Sequence, residues 1–176
     1  MFKHIWGDNK MASKYGTFKE YLKKNYEGPF LATDIIIRYN DDIKEGIVLI
    51  ERKYFPLGLA LPGGIAEYLT LETNAVKEAK EETGLDIILD SPNKPLCVFS
   101  EPTQDPRAFI ASVAYTAQGR GILKPQEEED AKSARVYTLE EITNLLDKPV
   151  WAFPDHHRKI LKIYLETVGG NENGIR

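Results

Sequence analysis

Only one cysteine occurs in the chain of 176 residues, and it excludes an internal disulfide and a cysteine-based metal site. Cys97 is expected instead as a small buried apolar residue in a strand over Leu96–Phe99. No apolar run approaches the roughly 20 residues that span a bilayer. Met1 to Lys10 mixes charge with aromatics and lacks an apolar signal-peptide core. Positive charge is in short supply: 23 Lys and Arg against 27 Asp and Glu leave a net charge of −4. A general nucleic-acid binder needs a basic face, so that class is set aside. Internal repeats and low-complexity segments are absent as well. These absences predict a soluble cytoplasmic protein that engages neither membrane nor nucleic acid.

What is present suits one globular domain. Hydrophobic residues make up 42% and charged residues 28%, and the length allows one substantial core but not two. Residues 1–28 read as an N-terminal appendage, with Thr17 capping a short helix over Phe18–Lys24 and Gly28-Pro29 ending it. The domain proper is expected over residues 29–170, with a disordered tail at 171–176. Strands are expected at Phe30–Ile37, Gly46–Glu51, Leu85–Leu89, Leu96–Phe99, Phe109–Thr116 and Ala134–Tyr137. Asn40-Asp41-Asp42 reads as a turn, and Pro56-Leu57-Gly58 and the acidic stretch Gln126–Asp130 as loops. Helices are expected at Leu71–Thr83, Leu139–Leu146 and Asp155–Val168. Strands and helices alternate irregularly, which predicts an α/β/α sandwich with a mixed sheet and helices on both faces, not a doubly wound parallel fold.

The first helix carries the chemistry. Thr70 is its candidate N-cap and Gly84 lies just past its end, while Leu71, Ala75 and Ala79 form a small-residue stripe facing the sheet. Glu78, Glu81 and Glu82 stand at i, i+3 and i+4 and share a face. Like charges so spaced destabilise an isolated helix by about 0.2–0.5 kcal/mol per pair. Lys77 and Lys80 offset part of that cost, and Mg²⁺ or Mn²⁺ would offset more, because hard cations prefer oxygen ligands. Lys-Glu-Ala-Lys-Glu-Glu on its own is ordinary solvated helix. The context alters its meaning: Pro62-Gly63-Gly64 precedes the helix and Glu-Glu-Thr-Gly-Leu closes it. Glycines there let the backbone approach a metal or a phosphate.

Gly63-Gly64 through Leu85 resembles the Nudix box, G-x5-E-x7-R-E-U-x-E-E-x-G-U, where U is a bulky apolar residue. Lys77 to Leu85 matches its second half, with Lys77 in place of arginine and Ala79 at the first U. The resemblance implies an α/β/α sandwich and hydrolysis of a nucleoside diphosphate linked to another group. It implies Glu78 and Glu82 as the main metal ligands, with Glu81 assisting and the Gly63 carbonyl a further ligand. The first half departs from the pattern. Counting back from Lys77 puts the expected glutamate on Leu69, and counting forward from Gly64 puts it on Thr70, so a residue is missing around Tyr68–Thr70. Lys77 can pair with Glu81 but cannot make a planar bidentate contact. Glu67 and Glu72 are the carboxylates nearest to the gap.

Weaker similarities extend over residues 30–168 and point to the ADP-ribose pyrophosphatase branch. They comprise Leu49–Lys53, Gly58–Gly64, Phe99–Pro102, Asp105-Pro106-Arg107, Asp130–Lys132 and Phe153–His157. Arg107 reads either as a surface charge after a turn or as a bidentate phosphate clamp, and Arg52 is a second candidate of that kind. Glu128 or Glu129, on the acidic loop, stands where the family supplies a water-orienting carboxylate; Glu81 and Glu82 complete the catalytic set. Asp155 is expected to cap the last helix. His156 and His157 are adjacent and, on a helix, would point apart, so they are not expected to share a metal. Trp151 and Phe153 are expected in the core or at a dimer contact. The resemblance therefore implies Mg²⁺- or Mn²⁺-dependent conversion of ADP-ribose to AMP and ribose 5-phosphate by a homodimer. Two other readings stay open: a weakened nucleotide-binding or regulatory protein, and hydrolysis of a nucleoside triphosphate or dinucleotide coenzyme.

Overall fold

The structure is a computed structural model that describes residues 28–126 and 130–172. The helix expected at Phe18–Lys24 and the candidates Glu128 and Glu129 lie outside the described residues.

The apolar run after Pro29 forms β1 (Phe30–Asn40), which antiparallel pairing with β2 (Glu45–Arg52) carries three residues past the expected end. The turn between them is held by Asp41 Oδ1, which accepts from the amides of Ile43 and Lys44. Two short strands follow, β3 (Leu59–Ala60) and β4 (Gly63–Ile65), the first paired to β2 and the second to β1. Helix α1 (Leu71–Thr83) leads to β5 (Asp86–Leu89), β6 (Cys97–Phe99), β7 (Ile110–Arg120) and β8 (Ala131–Tyr137). Helices α2 (Leu139–Leu145) and α3 (His157–Glu172) close the chain. The central order is β3-β2-β1-β7-β5, with β6 on β7 and β8 on β2. β1 and β7 run parallel and the other pairs antiparallel, so the sheet is mixed, as expected.

Strand alternation divides β1 between two cores. Ile35 and Ile37 face α1 with Ala75, Ala79 and Tyr115, whereas Ile36 faces α2 and α3 with Ala114, Ile142, Ile160 and Leu161. Both faces are covered, which is why the run is continuously apolar. Burying each of these isoleucines contributes about 1.5–3 kcal/mol. The same alternation turns Thr33 toward α1 and Asp34 toward α3.

Helix α1 forms as the local sequence dictates. Thr70 Oγ1 accepts from the Thr73 amide at 3.3 Å, and Gly84 closes the helix at φ 78 with its N–H on the Lys80 carbonyl. A Cβ on Gly84 would also lie 2.3 Å from the Lys124 carbonyl oxygen, so that position needs glycine twice over. The alanine stripe lets the helix lie close to the sheet, and Glu78 and Glu82, on the flank beside that stripe, face β4. Helix α3 begins at His157 rather than Asp155; residues 154–156 form a turn.

Candidate functional site

Two carboxylates, Glu82 and Glu78, meet β4, and a third, Glu81, lines the same cleft. Glu82 is 3% exposed, and its Oε2 accepts from the Gly63 amide at 2.8 Å. Burial pushes its carboxyl up to about 8; the Gly63 amide opposes that, and the Glu78 charge adds to it. Lys77 Nζ lies across the other two, 3.2 Å from Glu78 and 2.6 Å from Glu81. The Glu81 hydrogen bond, with Glu78 assisting against burial, holds Lys77 well above the usual lysine range. Gly64 leaves the space in which the Glu78 carboxylate sits, since a Cβ there would stand 2.6 Å from the Glu78 carboxyl carbon. Gly64→Ala is therefore expected to displace Glu78 with little cost to the fold. A Mn²⁺ titration should show affinity reduced about 10-fold at unchanged melting temperature.

The shortened first half of the box is bridged by an amide. Thr70 acts as the helix cap, Leu69 is apolar, and Tyr68 takes a left-handed φ of 55 with its side chain fully exposed. Asn74 instead fastens the loop: its Nδ2 donates to Thr33 Oγ1 at 2.9 Å and to the Gly64 carbonyl at 3.1 Å. Of the two nearby carboxylates, Glu72 accepts from the Tyr115 hydroxyl at 3.5 Å, and Glu67 lines the cleft.

Opposite the carboxylates lie two guanidinium groups and one ring. Arg52, 6% exposed, donates to the Pro56 carbonyl at 3.1 Å and pairs with Asp130 at 3.2 Å. Arg107 grips Asp105 in a bidentate contact, with Nε at 3.0 Å and Nη2 at 2.8 Å. The guanidinium carbons stand 5.4 and 5.0 Å from the centre of the Phe153 ring, so Phe153 serves as the apolar floor for both cations. Gly63, Glu78, Glu81, Glu82, Arg52 and Arg107 all line one cleft of about 460 Å³. Of the two described residues that flank the segment carrying Glu128 and Glu129, Asp130 lines this cleft. The Gln126 amide donates to the Glu81 carbonyl at 3.0 Å.

A further group was not foreseen. Asp34 is buried at the cleft floor, accepting from Ser112 through Oδ2 and from His157 Nε2 through Oδ1 at 3.1 Å. His156 Nε2 stands 3.8 Å from Asp34 Oδ2, and its ring meets that of His157 edge-on at 4.5 Å. The two histidines converge, contrary to expectation, because His156 occupies the turn before α3 and only His157 is helical. Burial would raise the Asp34 carboxyl, but the neighbouring His157, with help from His156 and Ser112, holds it at about 2. Burial and the neighbouring His157 push His156 down to about 4, so it is neutral at pH 7. The signal in the sequence was Asp34 itself, the one carboxylate within the apolar run Phe30–Ile37.

Two groups of donors could thus be weighed as a cation site. Ligand atoms of Asp34, His156 and His157 lie within 4.8 Å of one another. However, the Leu61 amide donates to His157 Nδ1 at 3.0 Å, which fixes the ring proton on Nε2, and a protonated nitrogen has no lone pair for a metal. The other set fits. Glu78, Glu81 and Glu82 offer oxygen donors of the type Mg²⁺ and Mn²⁺ prefer, around a cradle that Gly64 keeps open. Gly63 N–H faces Glu82, so this residue points away from the β1 ladder, which is joined through the Pro62 carbonyl and the Ala66 amide. Its carbonyl is thereby available as a fourth donor.

Comparison with known proteins accords with this geometry. The family model described as NUDIX domain matches residues 29–162. No curated protein sequence matches the chain. Among solved structures, an ADP-ribose pyrophosphatase from Streptococcus suis 89-1591 is similar at 22% identity and a TM-score of 0.59, over 80% of this chain and 92% of that one. The NUDIX domain of Shewanella oneidensis NrtR, complexed with ADP ribose, is similar at 21% identity and a TM-score of 0.64, over 86% and 99%. A bifunctional NMN adenylyltransferase/ADP ribose pyrophosphatase from Francisella tularensis, complexed with AMP and a Mn ion, gives 25% identity and a TM-score of 0.62. There the match covers 85% of this chain but only 44% of the larger one.

Proposed function

The chain belongs to the NUDIX domain family, and from that premise we propose that it hydrolyses the diphosphate of a nucleoside diphosphate linked to another group. ADP-ribose is the proposed substrate, with AMP and ribose 5-phosphate as products. The observation that carries the proposal is the convergence of Glu78, Glu81 and Glu82 with Arg52 and Arg107 in one cleft. ADP ribose in the Shewanella relative and AMP with a Mn ion in the Francisella one support the choice of substrate and cofactor.

Glu78, Glu82, Glu81 and the Gly63 carbonyl would hold Mg²⁺ or Mn²⁺. When bound, the cation supplies positive charge at the phosphate oxygens and acidifies a nearby water. A water oxygen attacks one phosphorus, and the bridging oxygen leaves with the other phosphate. Glu128 or Glu129 is proposed to orient that water and take its proton. Arg107, already preorganised as a flat fork by Asp105, would turn two donors on the diphosphate, and Arg52 would add charge from beneath. Lys77 offsets the repulsion between Glu78 and Glu81 until a cation is present. The proposal includes a cytoplasmic homodimer, which light scattering of the purified protein would read.

Arg107→Ala is expected to raise KM about 10- to 100-fold through lost charge-assisted hydrogen bonds. Arg107→Lys should recover little of it, because an ammonium lacks the fork; steady-state kinetics on both variants checks this. The assignment as a whole is tested by incubating the protein with a panel of nucleoside diphosphate compounds, nucleoside triphosphates and dinucleotide coenzymes in Mg²⁺ or Mn²⁺. AMP and ribose 5-phosphate from ADP-ribose are the expected products. Preferential cleavage of another compound would replace the substrate. A second reading is favoured by Lys77 spanning two of the three glutamates and by the absence of a carboxylate at Leu69 and Thr70. On that reading the panel yields binding without product, as in a regulatory protein.

A further inference from the structure

We propose that His157, oriented by Asp34, is a positioning residue that holds the Leu61-Pro62-Gly63 segment in register with the carboxylate site. The inference rests on the reading that Gly63 and Glu82 belong to that site. Pro62 has no N–H, so this segment offers only two amides. The Leu61 amide goes to His157 Nδ1 at 3.0 Å, and the Gly63 amide goes to Glu82 Oε2 at 2.8 Å. One amide anchors the segment and the other meets the carboxylate. The Pro62 carbonyl accepts from the Ile35 amide at 2.8 Å, which fixes the peptide between them.

The anchor is rigid on its far side as well. His157 is 1% exposed and packs its ring 4.9 Å from that of Phe153. It opens α3, whose Ile160 and Leu161 are fully buried in the core. A neutral imidazole has one acceptor and one donor, and both are used here: Nδ1 on Leu61 and Nε2 on Asp34 at 3.1 Å. Asp34 keeps the proton on Nε2 and so keeps Nδ1 open to the amide, as outer carboxylates do for histidines that act through orientation. The buried carboxylate in β1 thereby acquires a purpose: it determines which nitrogen faces the loop. Asp34 also lies directly opposite Gly63 across the β1–β4 pairing, so the anchor and the anchored residue are neighbours.

The test compares Mn²⁺ affinity of the full chain with that of His157→Phe, His157→Gln and Glu82→Gln, read from the electron paramagnetic resonance signal of free Mn²⁺, with melting curves alongside. His157→Phe removes both hydrogen bonds and is expected to raise the Mn²⁺ Kd about 10-fold. His157→Gln restores one acceptor and one donor and should recover most of that loss, which a purely space-filling role would not explain. A folded Phe variant with the wild-type Kd, or a Gln variant as weak as Phe, overturns the proposal. A second reading needs no variant: nitrogen-15 NMR of the wild-type histidines should show His157 protonated on Nε2, with or without Mg²⁺. An Nδ1-protonated ring, or direct ligation on adding Mg²⁺, overturns it even if the Phe variant does not fold. Glu82→Gln separates the two readings. If it binds Mn²⁺ normally, the carboxylate site is wrong and this inference goes with it; if it alone loses Mn²⁺, only the role of His157 fails.

Discussion

Glu82→Gln is expected to reduce hydrolysis by roughly 10²-fold or more while making the metal-free protein more stable at alkaline pH. The loss follows from the proposed role of Glu82 as a cation ligand, because the amide keeps the shape but offers a divalent cation no negative charge. The gain follows from the burial of that same charge. In the folded, metal-free protein the Glu82 carboxyl is raised from 4.5 to about 8. Between those values the native state holds a proton that the unfolded chain has released, so stability falls as pH rises from 4.5 through about 8. The swing is of the order of a few kcal/mol. Glutamine carries no such proton and should flatten that limb. Thermal melts from pH 5 to 9, with and without Mg²⁺, read the effect, and Mg²⁺ should steady the wild type by favouring the ionised form. A variant that turns over ADP-ribose at the wild-type rate would end the assignment. Unaltered pH dependence of the metal-free melt would end the account of the burial.

Asp34→Ala is expected to destabilise the protein by about 2–5 kcal/mol, because a buried donor left without its acceptor costs about 1–3 kcal/mol and this change strands two. His157 Nε2 and the Ser112 hydroxyl would both lose their acceptor in a region closed to water. Asp34→Asn keeps the shape and an acceptor and should be milder. The pH sign is opposite to that of Glu82. The Asp34 carboxyl is lowered from 3.8 to about 2, so its contribution is complete above 3.8 and disappears as pH falls through about 2. Urea unfolding at neutral pH, repeated down an acid series, measures both quantities. A loss below about 1 kcal/mol for the alanine variant would mean that the cluster is not a structural element.

The two residues differ in how they can be read. Glu82 belongs to a local pattern: i, i+3 and i+4 share a helix face whatever the rest of the chain does. The cap at Thr70, the alanine stripe and Gly84 are equally local, and α1 spans the expected residues. Arg107 and Asp105 are two positions apart, and their pairing within a turn is local too. Asp34 and His157 belong to the first strand and the last helix, and nothing in either neighbourhood names the other. The expectation that adjacent histidines diverge failed because it assumed a helix already under way at His156. The role of Asn74 is not legible locally: asparagine in a helix is ordinarily exposed, and only the approach of β1 and β4 gives its amide two acceptors.

The chain by itself determined that three carboxylates would share one helix face behind a double glycine, and that the strand at Phe30 would be covered on both sides. Short-range geometry and an unbroken apolar run are enough for that. The tertiary structure decided what those carboxylates face: the Gly63 amide, a pair of arginines resting on Phe153, and a loop anchored by a histidine from the far end of the sequence. Burial depth and pairing across the sheet depend on how the layers close. Those same quantities set the charge state of Glu82 and Asp34.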